Sequence, residues 1–425
     1  MDEMIRTLNT LCGFKSVTTR TDDPEHPYGE ETAKALEFML DTCKSFGFRT
    51  VNLDHQIGYA EIGEGEEIFG ILAHLDVVPV GDGWAYEPFA ATVADDGNIY
   101  GRGVVDDKGP AVAAMYAMKD VLESGRKFNK RIRIIFGQTE EAGPWSDMEY
   151  YAEHEELPAM GITPDADFPA LYGEKGIMHF TLSMPLKKAG FISVSGGQAA
   201  NMVPDEAKGK VNCEGVIRDF YEQGKSSHGS TPEDGKNAIS MLMAEVGYAT
   251  EHCGLANFYN KYIGFDIHGE RLGIDVSDEE SGRLTLNAGK IEMTDETVDL
   301  KMDIRYPVTF RGEDIINKIR SIAEAEGLEL TLTEDKAPIY MDKNGDLITK
   351  LVEVYRDITG LDDEARVIGG GTYARAMPNI VAFGPQLPWE KDQCHQSNES
   401  ILKKNLYLLV PLYEEALENL GKIVI

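Results

Sequence analysis

Two adjacent carboxylates, Glu140 and Glu141, stand in the run Gly137-Gln138-Thr139-Glu140-Glu141-Ala142-Gly143, just past an apolar segment. Adjacent acids repel, so a site built on them needs a cation, and the two can divide the work. One can bind a metal while the other moves protons. Taken alone, a glutamate pair in a turn is an ordinary solvated surface feature. Other groups of the same character occur elsewhere. In His74-Leu75-Asp76 the imidazole can ligate a metal while the carboxylate fixes its orientation. Gly101-Arg102-Gly103-Val104-Val105-Asp106-Asp107-Lys108-Gly109-Pro110 is a glycine-rich turn carrying two acids. A phosphate cradle is disfavoured there, because Asp106 and Asp107 would repel phosphate and the glycine spacing fits neither dinucleotide nor P-loop signatures. Further acids and a histidine stand in Thr163-Pro164-Asp165-Ala166-Asp167-Phe168-Pro169 and Gln393-Cys394-His395-Gln396-Ser397-Asn398-Glu399.

The elements that must position these groups are legible as apolar runs. Arg131 to Gln138 reads as a buried strand through Ile132, Ile134, Ile135 and Phe136, and Glu67 to Ala73 as another through Ile68, Phe69, Ile71 and Leu72. His74 and the glutamate pair therefore fall at strand exits, where reacting groups collect in open α/β sheets. Pro110 suits the first turn of a helix running through Ala113, Met115, Tyr116, Met118 and Leu122 to Gly125. A helix from Glu31 to Phe46, stopped by Gly47, precedes them, and the alternation is that of an α/β fold. A second unit begins around Gly173-Glu174-Lys175-Gly176. It holds a helix near Asn237 to Thr250, then a strand with Val298, Leu300, Met302 and Ile304 facing one way and Asp299, Lys301 and Asp303 the other. A helix from Glu313 to Glu326, ended by Gly327, completes an α+β sheet covered by helices on one face. The chain returns at about Pro338 to supply a glycine-rich loop, His395 and a terminal helix from about Glu399 to Leu420. The expected organisation is a mixed-sheet catalytic domain, residues 1–174 and 338–425, interrupted by a smaller α+β lid domain, residues 175–337.

Composition narrows the class. The chain has 425 residues, enough for two domains, and a formal net charge of -32 that would repel nucleic acid and anionic membrane surfaces. No apolar run approaches the roughly 18 residues of a membrane span. The opening Met1-Asp2-Glu3-Met4-Ile5-Arg6 is acidic and lacks an apolar core, unlike a secretory signal. The five cysteines are scattered without CxxC spacing. A reducing cytoplasm is the expected compartment.

Taken in order, His74-x-Asp76, Gly101 to Gly109, Glu140-Glu141, Pro164-Asp165-Ala166-Asp167-Phe168 and His395-Gln396 resemble the co-catalytic zinc peptidase family of carboxypeptidase G, aminoacylase and succinyl-diaminopimelate desuccinylase. The dipeptidase branch, carnosinase-like and Xaa-His dipeptidase in type, matches best. Ala200-Asn201-Met202-Val203-Pro204, Lys225-Ser226-Ser227-His228-Gly229-Ser230-Thr231-Pro232 and Gly369-Gly370-Gly371-Thr372-Tyr373-Ala374-Arg375 support that branch. The resemblance spans roughly the whole chain, and the ordered conjunction is far more specific than any single motif.

The resemblance implies a zinc-peptidase catalytic domain with two divalent metal ions, zinc or else manganese or cobalt, bridged by Asp106. One ion would take His74 and Asp165, the other Glu141 and His395, a nitrogen and oxygen donor set suited to those metals. Glu140 would be the general base, moving a proton from water to the leaving amine, with Asp76 orienting His74. Asp107 stays open as an alternative bridge and Asp167 as an alternative to Asp165; the family motif puts a cis peptide bond after the bridging position. His228, on the lid, would meet the oxyanion of the tetrahedral intermediate. Asn201, Arg305, Gly370, Gly371, Thr372 and Arg375 would hold substrate, Arg305 by clamping a carboxylate. Trp84 and Trp145 are expected to pack the rim. His26, His55, His154, His179, His252 and His268 have no motif context and read as structural or solvent-facing.

The implied activity is hydrolysis of short free peptides, with a small peptide as the partner and neither nucleic acid nor membrane. Between Asn201 and His228 the chain is shorter than in monomeric carnosinase-like members, so closure within a monomer and completion by a homodimer both stay open. An N-acyl amino acid deacylase or desuccinylase shares the metal ligands. A non-catalytic binding protein is disfavoured by the intact Glu140.

Overall fold

In the computed structural model, which describes residues 2–391 and 393–421, the two apolar runs form the strands Ile68–His74 and Arg131–Gly137. They pair in parallel, with His74 opposite Gly137. Ile68–His74 is buried throughout, as expected of a strand packed on both faces in a parallel sheet. Met160–Thr163 lies parallel on its other side and Ile380–Ala382 lies parallel beyond that. The hairpin of Arg49–Leu53 and Ile57–Ile62 adds antiparallel strands next to Arg131–Gly137, so the sheet is mixed. Helix Lys108–Glu123 packs on this sheet and against both Glu3–Gly13 and Lys403–Leu420.

The chain separates into two compact units. One is Met1–Tyr172, Met341–Ala365 and Thr372–Ile425; the other is Gly173–Tyr340 with Arg366–Gly371. The second unit is built on an antiparallel sheet whose long strands are Gly176–Pro185 and Thr297–Tyr306. Met178, Phe180, Leu182 and Met184 alternate with partly exposed residues, so one face carries the core, against helices Ala238–Ala249 and Gly312–Ala325. Val298, Leu300, Met302 and Ile304 lie in that core as their alternation predicts. Asp303, on the opposite face, is nonetheless fully buried. The glycine loop is divided between the units at Gly371 and Thr372.

Two boundaries differ from the sequence reading for physical reasons. The Pro110 helix starts two residues earlier, at Lys108, leaving proline in the first turn where its missing N–H costs nothing. The terminal helix starts at Lys403, not near Glu399, because the Glu399 side chain is committed to the Asp106 loop and Ser400–Leu402 pairs as a strand with Asn98–Tyr100. Among the described residues no helix is long and apolar enough to cross a membrane, and the five cysteines are free thiols.

Candidate metal centre

The first unit collects its acids and histidines where neighbouring parallel strands end together. Register places His74 beside Gly137, so Glu140 and Glu141 follow three and four residues past the same edge. Thr163 ends the next strand and delivers Asp165, its hydroxyl donating to Leu72 O at 2.7 Å. Gly137 has no alternative residue here, because a side-chain carbon on it would lie 2.5 Å from the Tyr373 ring.

Asp106 arrives on a loop rather than a strand, and Glu399 shapes that loop. The fully buried Glu399 Oε1 accepts the backbone N–H groups of Gly103 (3.0 Å), Val105 (2.9 Å) and Asp106 (3.3 Å), while Oε2 pairs with Arg102 Nη1 at 2.7 Å. Arg102 is itself buried, with the Trp84 ring 5.3 Å from its guanidinium carbon. The Asp106–Asp107 peptide bond is cis.

The carboxylate of Asp106 stands between the two histidines. Its Oδ1 is 2.9 Å from His74 Nε2 and its Oδ2 is 3.1 Å from His395 Nε2. Asp165 Oδ1 lies 3.6 Å from His74 Nε2, and Glu141 Oε1 lies 3.0 Å from His395 Nε2. Ligating atoms of His74, Glu140 and Asp165 fall within 4.8 Å of one another, as do those of His74, Asp106 and Glu141. Asp107 turns away and accepts the backbone N–H of His74 at 3.1 Å. Asp167 lies on the short strand Ala166–Asp167, paired with Pro385–Gln386, and belongs to neither cluster.

Crowding these acids strains their protonation. Burial and the Asp165 charge push Glu140 well above the usual carboxylate range, and burial with Asp106 pushes Glu141 up to about 7. Burial lifts Asp165 to about 6 although the His74 charge opposes it. Burial would raise Asp106 too, but His395 and His74 override it and hold that carboxyl below the ordinary range. Burial opposes the charge on His395, yet Asp106 and Glu141 lift it to about 11. Such a set relaxes when cations enter between the carboxylates.

His74 shows that the residues fit a metal. Its Nδ1 donates to the Asp76 backbone carbonyl at 3.0 Å, which leaves Nε2 as the free lone pair of the neutral ring. That Nε2 is buried without a hydrogen-bond partner and points at the oxygens of Asp106 and Asp165. Lone pairs facing one another need a proton or a cation between them. The nitrogen and carboxylate donors suit zinc, manganese or cobalt.

Asp76 faces His74 with its carboxylate, as expected, and holds the glutamate turn as well. The carboxylate oxygen lies 3.5 Å from Nδ1, and the backbone carbonyl makes the short bond. The carboxylate also accepts the N–H groups of Glu140 (3.2 Å) and Glu141 (3.0 Å), so it sets the glutamate turn. Asp147 clamps the start of that turn: it accepts Gln138 N (2.6 Å), Thr139 N (3.0 Å) and Thr139 Oγ1 (2.6 Å), and Tyr373 Oη at 2.7 Å. Trp145 Nε1 donates to Glu140 O at 3.0 Å. The roles of Asp147 and Glu399 are not legible in the sequence. Their only signal is an acid close to a ligand motif, and which backbone amides it holds is a matter of folded geometry.

Thr372 and Arg375 lie in the first unit, Arg375 in the short helical turn Tyr373–Ala376 and Thr372 before it, its hydroxyl accepting the Ala374 amide. Asn201, His228, Arg305, Gly370 and Gly371 lie in the second. There His228 Nδ1 is 2.6 Å from Ser230 Oγ, and Gly229 N donates to Asn201 O at 2.7 Å. His179, read as lacking context, in fact sits between two acids of that unit, Asp303 and Glu334.

Comparison with known proteins identifies the family. The family model described as Peptidase family M20/M25/M40 matches residues 70–419. The protein named Putative dipeptidase YtjP of Bacillus subtilis is 36% identical over 459 residues, covering 99% of this chain and 98% of that protein. Human carnosine dipeptidase 1 superposes with a TM-score of 0.67 at 17% identity, covering 99% of this chain and 96% of that one. A tripeptidase of Staphylococcus aureus superposes at 0.63 with 17% identity, covering 98% of each chain. These two likenesses carry the fold, a catalytic domain with a lid domain; two named peptide lengths on one architecture mean that the fold alone does not select substrate length.

Proposed function

This chain belongs to peptidase family M20/M25/M40, whose members are metal-dependent hydrolases, and we propose that it is a dipeptidase working with two divalent ions, zinc in the first instance. The observation that carries the chemistry is the buried, unpartnered His74 Nε2 facing Asp106 and Asp165 at the strand exits. The observation that carries the substrate class is the near full-length similarity to a protein named as a dipeptidase.

In this reading Asp106 would serve both ions, with His74 and Asp165 holding one and Glu141 and His395 the other. When bound, the ions polarise the scissile carbonyl and acidify water. Glu140 takes a proton from the attacking water and delivers it to the leaving amine. Asp76 keeps Glu140 and Glu141 in place through their backbone amides. His228 supplies transition-state stabilisation at the oxyanion. Asn201, Arg305, the amides of Gly370 and Gly371, Thr372 and Arg375 hold the substrate, Arg305 at its carboxylate. The net charge and the absence of a basic stripe in the sequence fit a small zwitterionic partner rather than a polyanion. Whether a monomer or a homodimer is the working form follows from solution mass of the active protein.

The test is a substrate panel. Metal-loaded protein is offered free dipeptides, tripeptides, N-acetylated dipeptides and N-acetyl or N-succinyl amino acids. Free dipeptides are expected to react fastest, because anchors for both the amine and the carboxylate fix the length, and a small misplacement at the reacting centre costs roughly 10²-fold. Chelation should abolish turnover, and Zn²⁺, Mn²⁺ or Co²⁺ at two equivalents should restore it. Preference for N-acyl amino acids would replace the dipeptidase reading with a deacylase. Full activity in protein shown by elemental analysis to be metal-free would remove the mechanism altogether.

A further inference from the structure

The second unit contains a row of charged side chains alternating in sign. Arg305 Nε donates to Asp303 Oδ1 at 2.9 Å, and Nη2 donates to Oδ2 at 3.2 Å. His179 stands opposite Asp303 on one neighbouring strand and opposite Glu334 on the other. Its Nε2 faces Asp303 Oδ1 at 3.3 Å as a charge contact without hydrogen-bond geometry, and its Nδ1 lies 2.7 Å from Glu334 Oε2. Lys336 Nζ ends the row, 3.2 Å from Glu334 Oε1. Asp303 is the member with no solvent at all, so its charge depends on Arg305 and His179.

The grip on Arg305 has a direction. Its Nη1 donates to Gly369 O at 3.0 Å, so three of the five guanidinium N–H groups are used, leaving one on each terminal nitrogen without a partner among the described residues. Held along one edge by Asp303 and at Nη1 by Gly369 O, the planar group is fixed in angle, and a guanidinium so oriented can meet a carboxylate. The His228 loop crosses the same buried acid. A side-chain carbon on Gly229 would lie 2.4 Å from Asp303 Oδ2, so only glycine passes there.

We propose that Asp303 and His179 are positioning residues for substrate recognition: Asp303, gripped between Arg305 and His179, holds the guanidinium edge-on and sets the seat over which the His228 loop runs. The inference rests on the reading that Arg305 takes the substrate carboxylate. The charge on His179 is maintained from both sides. Burial opposes it, but Asp303 and Glu334 lift its pKa to about 9, with Arg305 and Lys336 one step further out. Removing that charge leaves Asp303 with Arg305 as its single cation and draws the guanidinium out of its angle.

The test compares a free dipeptide with its C-terminal amide on metal-loaded full-length protein, by hydrolysis or, for a slow amide, by competitive inhibition. Arg305→Ala reads the premise and should abolish the preference for the free acid. His179→Gln should raise KM for the free dipeptide about tenfold, the scale of one charge-assisted hydrogen bond, with kcat and behaviour towards the amide within about twofold. His179→Lys, which keeps a cation, should recover part of that loss. Because both substrates carry the same amine, their ratio cancels titration of amine and metal site. Equal losses on the two substrates in His179→Gln, or no change on either, overturn the positioning role while Arg305→Ala still shows its effect. An unchanged preference in Arg305→Ala instead refutes the carboxylate reading of Arg305, and the inference falls with it.

Discussion

Glu399→Gln probes how a loop far along the chain holds Asp106. Glutamine fills the same space and retains an oxygen for the amides of Gly103, Val105 and Asp106, but it presents an NH₂ where Oε2 now meets Arg102 Nη1 at 2.7 Å. Arg102 is 2% exposed, so its charge loses its partner without gaining water. Removing one member of a buried pair costs about 3 to 5 kcal/mol. Longer contacts from Arg102 to Gln396 O (3.3 Å) and Pro79 O (3.4 Å) offset part, which places the expected loss at about 2 to 3 kcal/mol. Because the Asp106 amide is one of the held groups, metal affinity should fall about 10- to 100-fold, as for other partners that orient ligands. Urea unfolding of metal-free protein reads the first quantity and competition with a chromophoric chelator reads the second. Adding Arg102→Met removes the stranded cation and should restore part of the stability, but not the metal affinity. A Glu399→Gln protein with the parent's unfolding midpoint and metal Kd would refute the idea that this carboxylate holds the loop.

Glu140→Gln should lower turnover about 10²- to 10⁴-fold with metal content intact, whereas Glu141→Gln should lose metal; the opposite pattern by elemental analysis and kinetics would exchange the two roles. His228→Ala should lower kcat at unchanged metal content, and an unchanged rate would return His228 to an ordinary surface residue. The ion pairs of His179 give a pH signature in stability. Its folded pKa of about 9 lies above the ordinary 6.5, so this contribution is complete below pH 6.5 and is lost as pH rises through 9. Glu334 is held down to about 2, so its share is present above 4.5 and lost as pH falls through 2. Chemical denaturation of the parent and His179→Gln should therefore differ most between about pH 4.5 and 6.5 and converge towards pH 10; a constant gap across that range would refute the pairing.

The sequence by itself determined where reacting groups leave the strands. Runs such as Ile68 to Leu72 and Ile132 to Phe136 are continuous because both faces of a parallel strand are buried, so their ends, and the His74, Glu140 and Glu141 that follow, can be read without coordinates. Motif order supplied the family. Tertiary structure decided what the sequence leaves degenerate. Asp106 and Asp107 are neighbours of one type, and the folded backbone alone turns one towards both histidines and the other towards the His74 amide. Asp76 faces the ring it follows and also takes two backbone amides that no local pattern announces. Asp147, Glu399 and the His179 row carry no local signature, because their partners are backbone groups or side chains brought close only by folding. Periodicity reports which face a residue occupies; which buried charge it meets there depends on strand register and loop path, and these are fixed by the packing of the whole unit.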